Sequence, residues 1–356
     1  MEETAYSRLA RALDALPNGF PASKEGLELR LLEKLFTPED AALTCQLAAH
    51  FESADEIATR LGAAPGELRR QLKGLARRGL IEVGRTENGL GYRLLPFVVG
   101  IYEMQVGNLD LELAQLFEAY FQEAFTEILK VQPQLHRVIP IGESVRNDLE
   151  IHPFESANGL VNAAQAWGVL DCICRKQKAL IGDPCGHPLD ICMVIDQRAG
   201  TFDNHETVRA VSREEALATL QRAAEAGLVH SVSNNQAGLH YICNCCTCSC
   251  GILRSLASLG AANVVARSAF LCQVDEILCH TCGLCVDHCQ FGALSLDLLA
   301  QVDGARCVGC GVCVPVCPSQ ALSLNRRPAE EILAVPATLD EWGQQRSAAR
   351  HRDNRV

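Results

Sequence analysis

Two runs near the C-terminus, ILCHTCGLCVDHCQFGALSL and GARCVGCGVCVPVCPSQALSL, carry Cys279, Cys282, Cys285, Cys289 and then Cys307, Cys310, Cys313, Cys317. Both sets have the spacing C-x2-C-x2-C-x3-C, and each cysteine of the second lies 28 residues after its counterpart. The module is therefore an internal duplication. Cysteines at i, i+3 and i+6 wrap a tight loop around one point, as a polynuclear metal centre requires, while the fourth reaches elsewhere. Zinc competes for eight thiols, but its sites are built from C-x2-C pairs and not from a repeated triple. A second dense stretch, YICNCCTCSCG, places Cys243, Cys245, Cys246, Cys248 and Cys250 within eight positions. Upstream, DCICRKQKALIGDPCGHPLDIC offers Cys172, Cys174, Cys185 and Cys192, separated by the turn residues Gly182, Pro184, Gly186 and Pro188, so these thiols can also converge.

The duplicated runs closely resemble the two-cluster bacterial-type ferredoxin. That resemblance implies two [4Fe–4S] clusters, with Cys279, Cys282, Cys285 and Cys317 on cluster I and Cys307, Cys310, Cys313 and Cys289 on cluster II. One departure stands out: Pro318 follows Cys317 as the pattern expects, but Gln290 follows Cys289. His280 and His288 lie among the ligands and read as surface or outer-shell residues, since each set of four is complete. The nine middle cysteines read as one or two further iron–sulfur clusters or a zinc site, with the partition among them open. Cys45 and Cys272 read as isolated buried thiols.

Composition supports metal chemistry over disulfides. The 356 residues include 19 cysteines, an odd total, and all but Cys45 lie from Cys172 onward. No secretory signal is legible in MEETAYSRLARALDALP, and no apolar run exceeds about FVVGIY, so a cytoplasmic protein without a membrane span is expected. In a reducing compartment dense cysteine points to metals or redox work. The net charge of −11 argues against a chain dedicated to nucleic acid.

The cysteine-poor front has its own organisation. SADE at 53–56 is a capping box opening a short helix to Gly62, and ELRRQLKGLARRG places Leu68, Leu72 and Leu75 on one face. Two short strands around Asn88-Gly89 follow. Helix, turn, helix, hairpin resembles the winged helix-turn-helix of bacterial regulators. Residues 60–93 hold eight Lys/Arg against three Glu, with Arg69, Arg70, Lys73, Arg77 and Arg78 on or beside the second helix. That face suits DNA, docking or dimerisation. Residues 108–130 form an amphipathic helix, either a core helix or a homodimer helix. A second capping box, SREE at 212–215, opens a helix to about Gly227, and LVHSVS and LHYICN read as strands.

The expected fold class is a multidomain α+β chain: a winged-helix domain at 1–100, a connecting helix at 101–140, a cysteine-rich α/β domain at 141–275, the ferredoxin at 276–326 and a tail at 327–356. Trp342 could anchor the tail, whose end reads as mobile and basic. DCICR, GDPCGHPLDIC, YICNCC and the two ferredoxin runs together resemble a group of bacterial and archaeal 4Fe–4S dicluster-domain proteins. The resemblance implies an electron-transfer protein or the electron-transfer subunit of an anaerobic oxidoreductase, working with redox protein partners. No G-x-G-x-x-G follows a strand, so substrate chemistry is expected on a partner. The alternatives are an iron–sulfur redox-sensing transcription regulator and a reductase with an open-site cluster.

Overall fold

The computed structural model describes residues 4–145, 151–259 and 264–353. The chain divides into two compact units, one running to Ile128 and the other from Leu129 onward.

In the first unit, Ser53 caps the helix Ala54–Leu61 through a reciprocal box with Glu56, and Gly62 ends it at φ 63°. The helix Pro65–Arg77 buries Leu68, Leu72 and Leu75 as its spacing expects. The strands Glu82–Thr86 and Gly89–Arg93 form the hairpin, and Glu52–Ser53 adds a short third strand. On the basic face, Arg69 pairs with Asp55, Arg70 with Glu67 and Arg78 with Asp40. The amphipathic segment runs as Leu111–Tyr120, a wide turn at Phe121–Phe125 and a last turn at Thr126–Ile128. Its whole expected stripe, from Leu113 to Ile128, is buried. Phe117 stacks on Tyr102 with centroids 3.6 Å apart, and Tyr120 packs on Phe20 at 5.1 Å. Of the two expectations for this helix, the core role is the one seen.

The second unit is built on a six-stranded antiparallel sheet in the order His136–Val138, Val229–Ser233, Tyr241–Cys245, Asp190–Asp196, Ala166–Asp171, Arg209–Val211. Antiparallel strands alternate their side chains between two faces. One face carries Val169, Met193, Val232 and Ile242 into an apolar core with Ala216 and Leu220 of the helix Arg213–Glu225 and Val161 of Ala157–Ala163. The same alternation turns Cys192, Cys243, Cys245 and Val229 to the opposite face, as the register Met193↔Ile242 and Val229↔Cys245 requires. Both strand expectations and the second capping box, Ser212 with Glu215, are realised.

The ferredoxin region pairs Phe270–Val274 with Leu322–Arg326, and Leu294–Leu296 with Ala300–Val302. The 28-residue duplication repeats bond for bond. Asp275 N donates to Ala321 O and Asp303 N to Ala293 O; Cys279 N donates to Asp275 O and Cys307 N to Asp303 O.

The tail is helical over Leu339–Asp353, and Trp342 anchors it as expected. Trp342 is 5% exposed and donates through Nε1 to Gln134 O at 2.9 Å. Arg346 is fully buried and donates to Pro133 O at 2.7 Å. Polar capture of main-chain carbonyls, which the tail's composition did not advertise, is what holds it. Trp342→Ala is expected to destabilise this unit by about 3–5 kcal/mol, measured as a lower midpoint in chemical denaturation under anaerobic conditions.

Candidate metal centres

The two runs of cysteine enclose two cavities. One is lined by Cys279, Cys282, Cys285 and Cys317, with His280, Leu296 and Ala300. The other is lined by Cys289, Cys307, Cys310 and Cys313, with Cys272, His288, Gln290 and Val229. The fourth cysteine of each run thus sits in the cavity of the other. Local backbone explains why. Cys289 and Cys317 follow short turns, with Val286 N on Gly283 O and Val314 N on Gly311 O, and the chain then leaves the loop it came from. Gly283 and Gly311 both take φ 77° to make that turn.

The two halves differ in their surroundings. Around the second cavity five consecutive carbonyls are tied outward. Arg327 donates to Cys307 O, Ser268 N to Val308 O, Ser268 Oγ to Gly309 O, Ile141 N to Cys310 O and Ser144 Oγ to Gly311 O, all between 2.6 and 3.0 Å. In a planar trans peptide the N–H points opposite to the C=O, so the amides of 308–312 face the cavity. There they can stabilise negative charge on sulfur. A Cβ at Gly309 (φ 69°) would lie 2.1 Å from Phe270 O, so only glycine fits. Its counterpart, Thr281, takes φ 54° in the open, because nothing presses on it there: His280, Thr281 and Cys282 are all exposed.

Cys272 is not isolated. It is buried, and its Sγ lies 3.6 Å from Cys313 Sγ. The position 28 residues on is Ala300, so the first cavity has no such neighbour. Cys45, by contrast, is half-buried and not buried as expected: it caps the end of the helix Pro38–Thr44 and donates to Ala42 O.

The middle cysteines fall into two groups. Hydrogen bonds link Cys172 with Cys174 and Cys192, Cys174 with Cys250, and Cys250 with Cys245, which bonds to Cys243. Cys192 also feels the charge of Cys243 and Cys245, so the six close into a ring. Strand alternation supplies Cys192, Cys243 and Cys245. Cys172 is the N-cap of the helix Ile173–Leu180 and Cys174 lies in its first turn, while Cys250 precedes the helix Gly251–Leu259. Hydrogen bonds from Cys174 and Cys192 hold the Cys172 thiol well below its usual range, and Cys172 in turn pushes both of them up. Cys172, Cys245 and Cys250 are buried and Cys174, Cys192 and Cys243 half-buried, so the six thiols cannot all ionise together without added positive charge, which a bound metal would supply.

The second group is Cys185, His187, Cys246 and Cys248, whose ligand atoms all lie within 4.8 Å of one another. Arg175 stands between the groups, 4% exposed, donating to Pro188 O and Asn244 O. Burial opposes its charge, but the thiols of Cys172, Cys246 and Cys245 outweigh burial and raise its pKa. His187 escaped the sequence reading, although it sits two residues from Cys185 in a turn-rich loop. The four thiols of the upstream loop do not form one set: Cys172, Cys174 and Cys192 join one group and Cys185 the other.

Gln290, the residue in the proline position, joins the two parts. Its Oε1 accepts from Thr247 N at 2.7 Å and its Nε2 donates to Gly227 O. His288 is exposed beside it.

A family model described as "4Fe-4S dicluster domain" matches residues 278–321. No curated protein and no solved structure matches the chain. The C-terminal module is a 4Fe–4S dicluster domain and takes two [4Fe–4S] clusters; the Cys/His groups upstream fit further metal sites. No helix among the described residues is long and apolar enough to cross a membrane.

A neutral thiol donating to a cluster thiolate favours the more negative, reduced state. Cys272→Ala is therefore expected to lower the potential of one ferredoxin cluster by on the order of 50 mV, the equivalent of about 1 kcal/mol per electron. An EPR-monitored redox titration should find the other cluster unmoved; equal shifts in both would rule out a local bond to Cys313.

Proposed function

We propose that the chain is an electron-transfer protein, or the electron-transfer subunit of an oxidoreductase. In this reading it carries single electrons between a partner at the exposed ferredoxin cavity and a third iron–sulfur site in the six-thiol ring. The observation that carries this reading is the place of Val229. It lines the second ferredoxin cavity, and its cross-strand partner on the same face of the sheet is Cys245 of the ring. Neighbouring strands lie about 4.8 Å apart, so a wall residue of the cavity and a thiol of the ring are direct cross-strand neighbours.

In this reading Cys279, Cys282, Cys285 and Cys317 hold the first ferredoxin cluster, and Cys289, Cys307, Cys310 and Cys313 the second. Four of Cys172, Cys174, Cys192, Cys243, Cys245 and Cys250 hold the third. Bound clusters supply one-electron redox chemistry. The residues around the second cavity aim amides at its sulfurs and hold it against the sheet. At the first cavity His280, Thr281 and Cys282 are exposed, and near them in the same module Ile277 and Leu298 are 91% and 85% exposed. Asp275, Glu276, Asp287 and Asp297 are exposed in the same module. An apolar surface with acidic residues about it suits a basic redox partner.

The second reading is a redox-sensing regulator. It is favoured by the helix, turn, helix, hairpin order of the first unit, which suits a winged helix. The pairing of Arg69, Arg70 and Arg78 with acidic neighbours does not forbid DNA contacts, because exposed pairs are worth about 0–1 kcal/mol. The net charge of −11 works against them.

Anaerobically purified or reconstituted protein is expected to hold about 12 iron per chain, and its reduced EPR spectrum to show magnetic interaction among more than two centres. About 8 iron would confine electron transfer to the ferredoxin pair. A salt-sensitive DNA gel shift that follows cluster oxidation state would move the assignment to the regulator.

A further inference from the structure

We propose that Cys185, His187, Cys246 and Cys248 hold a single tetrahedral zinc ion that fixes the loop by which the sheet grips the ferredoxin. All four ligand atoms lie within 4.8 Å of one another, and Cys248 Sγ is 3.7 Å from His187 Nδ1. A zinc–sulfur distance of about 2.3 Å puts the thiolates of a tetrahedral site about 3.8 Å apart. The thiolates of a cubane are each borne by a different iron, so they spread more widely than thiolates that share one ion. The group is therefore the size of a mononuclear site.

The donor set agrees. Three thiolates and one imidazole make a closed Cys3His structural set with no position left for substrate. Ser249 Oγ donates to Cys185 Sγ at 3.3 Å, the kind of outer contact that orients a ligand. The chain spacings, one residue between Cys185 and His187 and one between Cys246 and Cys248, bring the ligands as two short pairs from separate loops.

Its consequence lies in what sits between the second pair. Thr247 is flanked by both Cys246 and Cys248, and its N–H is the donor to Gln290 Oε1. An ion bound on both shoulders of Thr247 holds that donor in place. Gln290 adjoins Cys289 of the second ferredoxin cavity, and two residues beyond Cys248 is Cys250 of the ring. The ion would thus hold the spacing between the two redox sites without exchanging electrons itself.

This inference stands apart from the electron-transfer reading, because iron and zinc are counted separately. Protein expressed with zinc and purified anaerobically is expected to contain about one zinc per chain, with a zinc-edge absorption spectrum of three sulfurs at about 2.3 Å and one nitrogen at about 2.0 Å. Cobalt-grown protein should show the visible bands of a tetrahedral thiolate site. Cys248→Ser, at an exposed position, should weaken zinc retention against a chelator by at least about tenfold and leave the iron content as in wild type. Absence of zinc and cobalt from the intact protein would overturn the inference, as would loss of about four iron in Cys248→Ser, which would make Cys248 a cluster ligand. The absorption and cobalt measurements need no variant and decide the question even if the substitution fails to fold.

Discussion

The side-chain alternation of a single strand, Tyr241–Cys245, determines which thiols meet. Cys243 and Cys245 point to one face of the sheet and Asn244 to the other, where it bonds His230 Nδ1 at 2.6 Å and donates to Ile191 O. The strand ends at Cys245, and the turn after it sends Cys246 and Cys248 away from the ring before Cys250 returns to it. Five successive cysteines of the sequence thereby fall into two groups. Adding or removing one residue in this strand would exchange the faces and mix the ligand sets.

Around that strand, charge is the second constraint. Every described cysteine is a free thiol, and Cys172, Cys174, Cys192, Cys243, Cys245 and Cys250 lie among one another. Arg175 is the buried cation among the middle thiols, held by two carbonyls and not by a carboxylate, so its charge remains available to sulfur. One guanidinium cannot balance the nine thiolates about it. A metal bound among them would supply the missing charge and so stabilise this packing, in the way that zinc fingers depend on their ion.

Much of the ferredoxin was legible because its ligand spacing is local: turns of three residues and a 28-residue repeat leave few ways to fold. The capping boxes at Ser53 and Ser212 were legible for the same reason. The partition of the middle thiols was not, because Cys172, Cys192 and Cys243 meet only through the order of strands in the sheet. Cys272 looked isolated because its partner lies 41 residues away on a loop that reaches it from across the module. Gln290 read as a lost proline; only the structure supplies Thr247 and Gly227 as its partners. The helix ending at Ile128 had an apolar stripe suited equally to a core or to a second copy, and sequence holds no term for what lies opposite.

The duplicated module also bears on direction. Two halves with the same ligands and the same turns would form a symmetrical wire, indifferent to which end received an electron. Its mounting breaks the symmetry. One half is pressed against Ile141, Ser144 and Ser268 and gains a thiol neighbour, while the other keeps Cys282 at the surface. In the electron-transfer reading, duplication supplies two like sites and the burial of one sets an inlet apart from an outlet.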